Sequence, residues 1–468
     1  MKKTSHDSNI KGASNLARRS KWSVVCGVAA ISAVYAVPAA ADQLSDLQAQ
    51  VNALNEAILL MKADQGRQKA DVAKSADAGK GSMPGSFKIP GTQTSVKIGG
   101  FIKADYTYDI NHWVDDFAAG WRFTVDPADM ARKGATHFMA QQSRINFSTS
   151  TPTSMGDLKT FVEGDFWGDT RGDERGTMNA AGWRVRLAYA ELGRWTAGQL
   201  ATNFFHGPSF PDTLDVNSPT GQALLRSPQI RYTMPVGAAT LSLSAEDPFT
   251  DVPGTNSKGV SDKMPDLTAR MAFKGDWGTT SVQGVVRSLN NDSRTPAGGT
   301  YKSKTGWGIG IAGNIKTVGK DDLRFQYNFG DGIGRYSQGA IFHAAGVDPA
   351  TREFVTTKAH GGYLAYRHFW TDDLRSTIAA GYARMKNNPA YLNSISFGGT
   401  TTWGNLSGNS GATNVLKSLH TNLIWTPVKN VDVGLEYMQG YRERAVMSEA
   451  GGTSGTFKRL QATGKYSF

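Results

Sequence analysis

Cysteine is nearly absent from this 468-residue chain, its single example being Cys26. A chain so poor in thiols is not organised by disulfides, zinc–thiolate centres or a cysteine nucleophile. Long apolar runs are missing as well: nothing after residue 41 approaches the ~20 consecutive apolar residues that a membrane helix needs. The eight histidines are scattered, with no H-E-x-x-H and no i, i+4 pair, so no metal site is indicated. A one-sided charge run is also lacking. Charge is spread along the chain rather than gathered on one segment, which gives no reason to expect a nucleic-acid partner. No cofactor is expected either.

What is present begins with a leader. Lys2, Lys3, Lys11, Arg18, Arg19 and Lys21 precede the 16-residue apolar stretch Trp22 to Val37, and Ala39-Ala40-Ala41 supplies small residues for cleavage. Residues 1–41 are therefore expected to be a secretory signal peptide, with Asp42 as the first mature residue. Removing the leader's six basic residues and one acid leaves 45 basic and 39 acidic residues, a net charge of +6.

Between Asp42 and Lys62, the residues Leu44, Leu47, Val51, Leu54, Ile58 and Met61 are spaced 3, 4, 3, 4 and 3 apart. That spacing makes one apolar seam on a helix and predicts a self-associating coiled coil over residues 42–64. About three heptads are marginal alone, so the helix is expected to assemble with an oligomer. Residues 65–91, with Gly, Ser, Lys, Asp and two prolines, read as a linker.

From Thr92 onward the period becomes two. Val96, Ile98, Ile102, Ala104, Tyr106 and Tyr108 alternate with Lys97, Phe101, Lys103, Asp105, Thr107 and Asp109. A face that carries Lys and Asp cannot touch lipid, so it is expected to line a wet interior. The alternation recurs down the chain, including Val185, Leu187 and Tyr189 opposite Arg184, Arg186 and Ala188, and Val433 and Leu435 opposite Gly434 and Glu436. Seven short connections and eight long ones separate sixteen such segments. The fold class predicted is all-β: a transmembrane antiparallel β-barrel of about 16 strands over residues 92–468, in the bacterial outer membrane. Sixteen strands leave room for an aqueous channel. The chain ends in an alternating strand closed by Phe468, the form of signal that outer-membrane assembly machinery reads.

Gly308-Ile309-Gly310-Ile311-Ala312-Gly313 fits G-x-G-x-x-G, but Asn314-Ile315-Lys316 runs into a turn where a dinucleotide site needs a helix. The glycines read better as strand residues approached closely by a loop or neighbour. Arg171-Gly172-Asp173 lies in a charged loop and reads as chance. Strand phase puts Arg144, Arg184, Arg186, Arg231, Arg270, Arg287 and Arg324, with Arg375 and Arg459, on the polar face. Some are expected to pair with Glu163, Asp165, Asp432 or Glu436 and merely hold the wall. The remainder would form an anion-attracting, pore-lining surface, since guanidinium forks match carboxylates and fixed positive charge favours anions in a narrow pore. The third long loop, residues 203–226, is the candidate constriction, with its own Asp212 and Asp215 facing that wall. The class reading is a diffusion channel rather than an enzyme; an outer-membrane hydrolase or an adhesin would also be a barrel and stays open as the alternative.

With these parts assembled, the chain resembles the DcaP-like trimeric porins. The resemblance is carried by Gly85-Ser86-Phe87-Lys88-Ile89-Pro90-Gly91-Thr92 leading into Ser95-Val96-Lys97-Ile98-Gly99-Gly100-Phe101-Ile102-Lys103-Ala104-Asp105. It is carried further by Ser143-Arg144-Ile145-Asn146-Phe147, Ala188-Tyr189-Ala190-Glu191-Leu192-Gly193, Tyr366-Arg367-His368-Phe369-Trp370 and Thr421-Asn422-Leu423-Ile424-Trp425-Thr426-Pro427. It implies a sixteen-stranded barrel, a homotrimer, a periplasmic N-terminal coiled coil, and uptake of small anionic solutes such as dicarboxylates.

Overall fold

The computed structural model describes residues 40–111, 133–168, 182–217, 219–252, 262–290, 302–340, 344–348, 350–351, 353–396, 412–445 and 452–468. The apolar leader, Cys26, Arg171-Gly172-Asp173 and much of several long loops lie outside them.

The longest described helix, α1, runs Ala40–Ala78, and a second, α2, spans Pro389–Ser396 in the loop before Thr413. Helix α1 continues fourteen residues past Asp64, through residues 65–78 where the sequence pattern predicts a linker. Ala, Lys and Gln dominate that stretch, and such residues cost a helix little; a Gly at 66 is tolerated. No described helix is long and apolar enough to cross a membrane. The seam residues Leu47, Val51, Leu54, Ile58 and Met61 are all exposed in the single chain.

The rest is a closed antiparallel barrel. Its strands are β1 Ser95–Asp109, β2 in two pieces Ala135–Met139 and Arg144–Thr153, β3 Gly156–Asp165, β4 Arg184–Leu192, β5 Trp195–Ala201, β6 Arg226–Val236, β7 Ala239–Glu246 and β8 Asp266–Gly275. They continue as β9 Gly278–Leu289, β10 Lys304–Lys316, β11 Asp322–Asp331, β12 Lys358–Phe369, β13 Leu374–Lys386, β14 Thr413–Val428, β15 Val431–Arg444 and β16 Ser454–Ser467. Each pairs with its sequence neighbours, and β1 closes the cylinder on β16 through registers such as Asp105↔Thr463 and Asp109↔Arg459. Closure removes both sheet edges, which a bilayer requires because no water is there to satisfy free backbone groups. The two-residue strand Phe87–Lys88 pairs with the start of β1.

The seven tight turns gather at one end. Asn430 between β14 and β15 takes φ 70°, and Gly237 between β6 and β7 takes φ 57°, the left-handed backbone that two-residue hairpins need. Aromatic residues mark that end on the outside: the Trp195 and Tyr232 rings pack at a tilt with centroids 4.8 Å apart, and Trp277, Trp370 and Trp425 are exposed. Such rings favour the membrane–water boundary.

The barrel is inverted relative to a water-soluble fold. Ile98 and Ile102 face out, about half exposed, while Lys103, Asp105, Thr107 and Asp109 face in and are buried. Period-two patterning places most strands correctly. Strand β4 departs from it. Glu163 pairs with Leu187, but the next residue, Gly164, pairs with Val185, so a β-bulge opens at Arg186. One extra residue flips the strand's phase. Leu187 and Tyr189 therefore share the inner face with Glu163 and Phe161, where simple alternation places them in lipid; the Phe161 and Tyr189 rings lie 5.7 Å apart.

Among the described residues at least two loops turn into the interior. The β5–β6 loop, residues 202–225, crosses the lumen as its proline- and aromatic-rich sequence suggests. The β11–β12 loop also enters, and nothing in its sequence announced it: Ile333, Tyr336 and Ala340 pack with Phe204, Ala223, Met385 and Leu416 in a core inside the cylinder. Gly308 of the G-x-G-x-x-G segment lies mid-strand in β10, where an added Cβ would come within 2.6 Å of Ile333.

Candidate functional site

The β5–β6 loop leaves one wall and is held by inward side chains of the wall opposite. Lys103 Nζ donates to the Leu214 carbonyl at 2.7 Å, and Asn422 donates to that of Asp212 at 2.8 Å. The Leu214 and Asp215 N–H groups donate to Glu436 at 2.8 and 3.2 Å. Thr220 N–H reaches Ser418 Oγ at 2.9 Å and Ala223 N–H reaches Gln326 at 3.0 Å. The loop comes close enough that a Cβ at Gly381 would stand 2.4 Å from the Thr220 carbonyl. These bonds satisfy loop backbone groups that would otherwise be buried without partners.

Beside the loop lies a cavity of about 490 Å³. On one side it is lined by Arg144, Glu163, Arg186, Leu187 and Arg226, and on the other by Asp212, Arg375, Asp432 and Lys465. The first side is built around two carboxylates. Arg184 grips Asp165 with two bonds, of 3.0 and 2.8 Å. Arg186 reaches Glu163 at 2.9 Å and Asp165 at 2.6 Å. Arg144 stands 3.7 Å from Glu163 and over the Phe101 ring, and its buried Nε finds no hydrogen-bond acceptor. Arg226 lies within electrostatic reach of Arg144, Arg184 and Arg186. Four guanidinium groups thus share two carboxylates.

On the second side the charges are tied to one another. Asp212 accepts from Arg375 at 2.8 Å and pairs with Arg367 at 3.4 Å. Asp432 pairs with Arg375 at 3.3 Å and Lys465 at 2.8 Å.

The seven arginines that share a sequence phase do not form one surface. Arg144, Arg184 and Arg186 come together at the cavity. Arg270 and Arg324 clamp the loop, donating to the carbonyls of Phe205 and Phe210, and Arg324 also pairs with Asp322 at 2.6 Å. Arg231 donates to Gln229 and to the Ala201 carbonyl. Arg287 is fully buried, 2.8 Å from Asp251 and 3.7 Å from Asp266, under Tyr336 of the β11–β12 loop. Phase tells whether a side chain points in; it does not tell what fills the space ahead of it. Of the two further arginines on that phase, Arg459 pairs with Asp109 at 2.6 Å. Arg226 is the residue that pattern misses, because it opens β6 at the loop junction and counts outward from Pro228 and Ile230. Among the described residues no cluster of His, Cys, Asp or Glu could hold a metal ion.

Comparison with known proteins adds three findings. The sequence model of a family described as the DcaP outer membrane protein matches residues 34–468. The outer membrane channel DcaP of Acinetobacter baumannii has the same fold, with a TM-score of 0.68 and 23% identity over 82% of this chain and 99% of that one. Porin Omp2b of Brucella canis is 24% identical over 210 residues, which is 43% of this chain and 53% of that porin; the Brucella melitensis porin is 25% identical over the same length. The chain spans about half the length of the curated relatives it matches.

Proposed function

The chain belongs to the DcaP outer membrane protein family, and from that premise we propose that it is a diffusion channel for small anionic solutes, dicarboxylates among them. The observation that carries the reading is the excess of four guanidinium groups over two carboxylates on one side of the cavity. A low-dielectric wall focuses that field and raises the local anion concentration. Arg144, with Nε unpartnered, and Arg226 supply the unneutralised charge; Arg184 and Arg186 orient Asp165 and Glu163 and hold the side rigid. A two-ended anion would place one carboxylate on Arg144 and the other on Arg226, each carboxylate accepting a bidentate guanidinium fork. The relatives found are described as porins and a channel, which supports transport over catalysis.

The assembly is a homotrimer. Three copies would bring the exposed seam Leu47, Val51, Leu54, Ile58 and Met61 together as a periplasmic coiled coil. The aromatic girdle meets lipid, and the strand ending at Phe468 is the part presented to the assembly machinery.

Reversal potential in planar bilayers under a salt gradient tests the reading. The wild type is expected to prefer anions, and Arg144→Gln with Arg226→Gln to move the potential toward cations. The shift should shrink at high salt, where the screening length falls below ~8 Å. Cation preference in the wild type, or an unchanged potential in the double variant at low salt, would overturn it.

A further inference from the structure

The outward face of a barrel strand meets hydrocarbon, where a charge costs free energy. At the long-loop end of β10–β13 that rule is broken in one place. Lys358, Arg384 and Lys386 all point outward and are exposed. Lys358 sits directly across from Lys386, and His360 across from Arg384. Like charges directly opposite one another destabilise a sheet, and a bound anion would relieve that repulsion. None of the three cations makes an ion pair among the described residues. The one carboxylate in the groove is Asp331, in register with Lys358.

Beside these cations, on β10–β12, the wall is apolar and grooved: Trp307 and Asp331 share a register row with Lys358 and Lys386, and Ile309, Phe329 and His360 share one with Arg384. The groove, of about 660 Å³, is lined by Trp307, Tyr327, Phe329 and His360. Trp307 meets Phe329 edge-on at 5.8 Å, and the Tyr327 hydroxyl lies 3.1 Å from His360 Nδ1. Farther from the loops the same faces continue as exposed Ile311, Leu364 and Ile378. Cations and flat rings side by side at the boundary, with an aliphatic wall below, are the complement of an anionic headgroup on acyl chains.

We propose that Lys358, Arg384 and Lys386 form a binding site for a phosphorylated, acylated glycolipid of the membrane's outer leaflet. The long-loop end places the site in that leaflet. The acyl chains lie along the groove, and the phosphate oxygens accept from one guanidinium and two ammonium groups, charge-assisted bonds about twice as strong as neutral ones. A second copy of the chain is a poorer occupant, because no described strand turns outward a group of acids that would match three cations.

The test uses the purified full chain in detergent and lipid A as the probe, bis-phosphorylated or enzymatically dephosphorylated, with binding read by native mass spectrometry. The wild type is expected to retain the bis-phosphorylated lipid and to hold the dephosphorylated one roughly tenfold less tightly. The triple variant K358Q/R384Q/K386Q should lose that preference. The charge-keeping variant K358R/R384K/K386R should keep it, and all three proteins should conduct alike, since none of these residues faces the lumen. Equal retention of both lipids by the wild type, or an unchanged preference in the triple variant, would overturn the site. So would a change of oligomeric state in the triple variant, which would make this face a contact between copies. Inorganic phosphate competing as well as the lipid would show a simple anion site and overturn it also.

Discussion

Arg144, Arg184, Arg186 and Arg226 share Glu163 and Asp165 beside an open cavity. Elsewhere in the lumen, Arg287 and Arg335 share Asp251 and Asp266 beneath Ile333 and Tyr336, where Arg287 and both carboxylates are buried. Both groups sit on inward strand positions or inturned loops, and both are built from the same side chains. In the first, cations outnumber acids two to one and an open cavity adjoins them. In the second the numbers match, and an apolar loop seals them. An inward arginine therefore serves either selectivity or structure, and the local count of acids together with the loop above it decides which.

The sharpest break in that contrast comes from the sealed group. Arg287→Gln leaves two carboxylates buried with only Arg335 for company. Removing one partner of a buried ion pair costs about 3–5 kcal/mol, so the barrel should unfold at a clearly lower temperature. A wild-type transition would mean that the cluster is hydrated.

An arginine placed on the outer surface gives the next effect. Leu435→Arg puts a charge in lipid and should cost roughly 2–4 kcal/mol near the midplane, read as lost insertion into vesicles. The neighbouring Gly434 faces inward, and alternation alone predicts that arginine there is harmless. The structure says otherwise: a Cβ at Gly434 would lie 3.0 Å from Leu214 of the inturned loop. Gly434→Arg should insert normally yet displace that loop, with altered single-channel conductance. Normal conductance would place the loop elsewhere.

Within the open group, Arg184→Gln with Arg186→Gln should behave unlike Arg144→Gln with Arg226→Gln. The first pair removes the partners of Asp165 and Glu163, so the potential should move toward cations and thermal stability should fall as well. The second should change selectivity with little loss of stability. Equal stability of the two variants would erase the distinction between holding and attracting residues.

The smallest effect lies in the turn between β10 and β11. Asp321 accepts from the Phe369 N–H at 2.8 Å and lies 2.7 Å from His368 Nδ1, which holds its carboxyl down at about 2. A depressed carboxyl stabilises the fold above its unfolded pKa, and that contribution fades as pH falls from about 4 toward 2. Asp321→Asn should lose this slight acid dependence, measured by melting at pH 5 and pH 2; an identical slope would remove the assignment.

Much of the barrel was legible because lipid outside and water inside impose a period of two. Val433, Gly434 and Leu435 can be assigned faces from that rule alone. It failed at Leu187 and Tyr189, where the bulge at Arg186 adds one residue that leaves no mark in composition. It failed at Arg226, where a loop hands over to a strand and no phase yet exists. It had no purchase on the β11–β12 loop, whose Ile333 and Tyr336 are as compatible with an outer rim as with a buried plug.

The amino-acid sequence by itself determined the class of fold, the strand number, the faces of most strands and the apolar seam of α1, because each follows from a local repeat. The tertiary structure alone decided which inward arginines meet carboxylates, which meet loop carbonyls and which keep free charge beside the cavity. Those outcomes depend on residues far apart in the chain, such as Arg287 with Asp251 or Lys103 with Leu214, and only closure of the barrel around its own loops brings them within bonding distance.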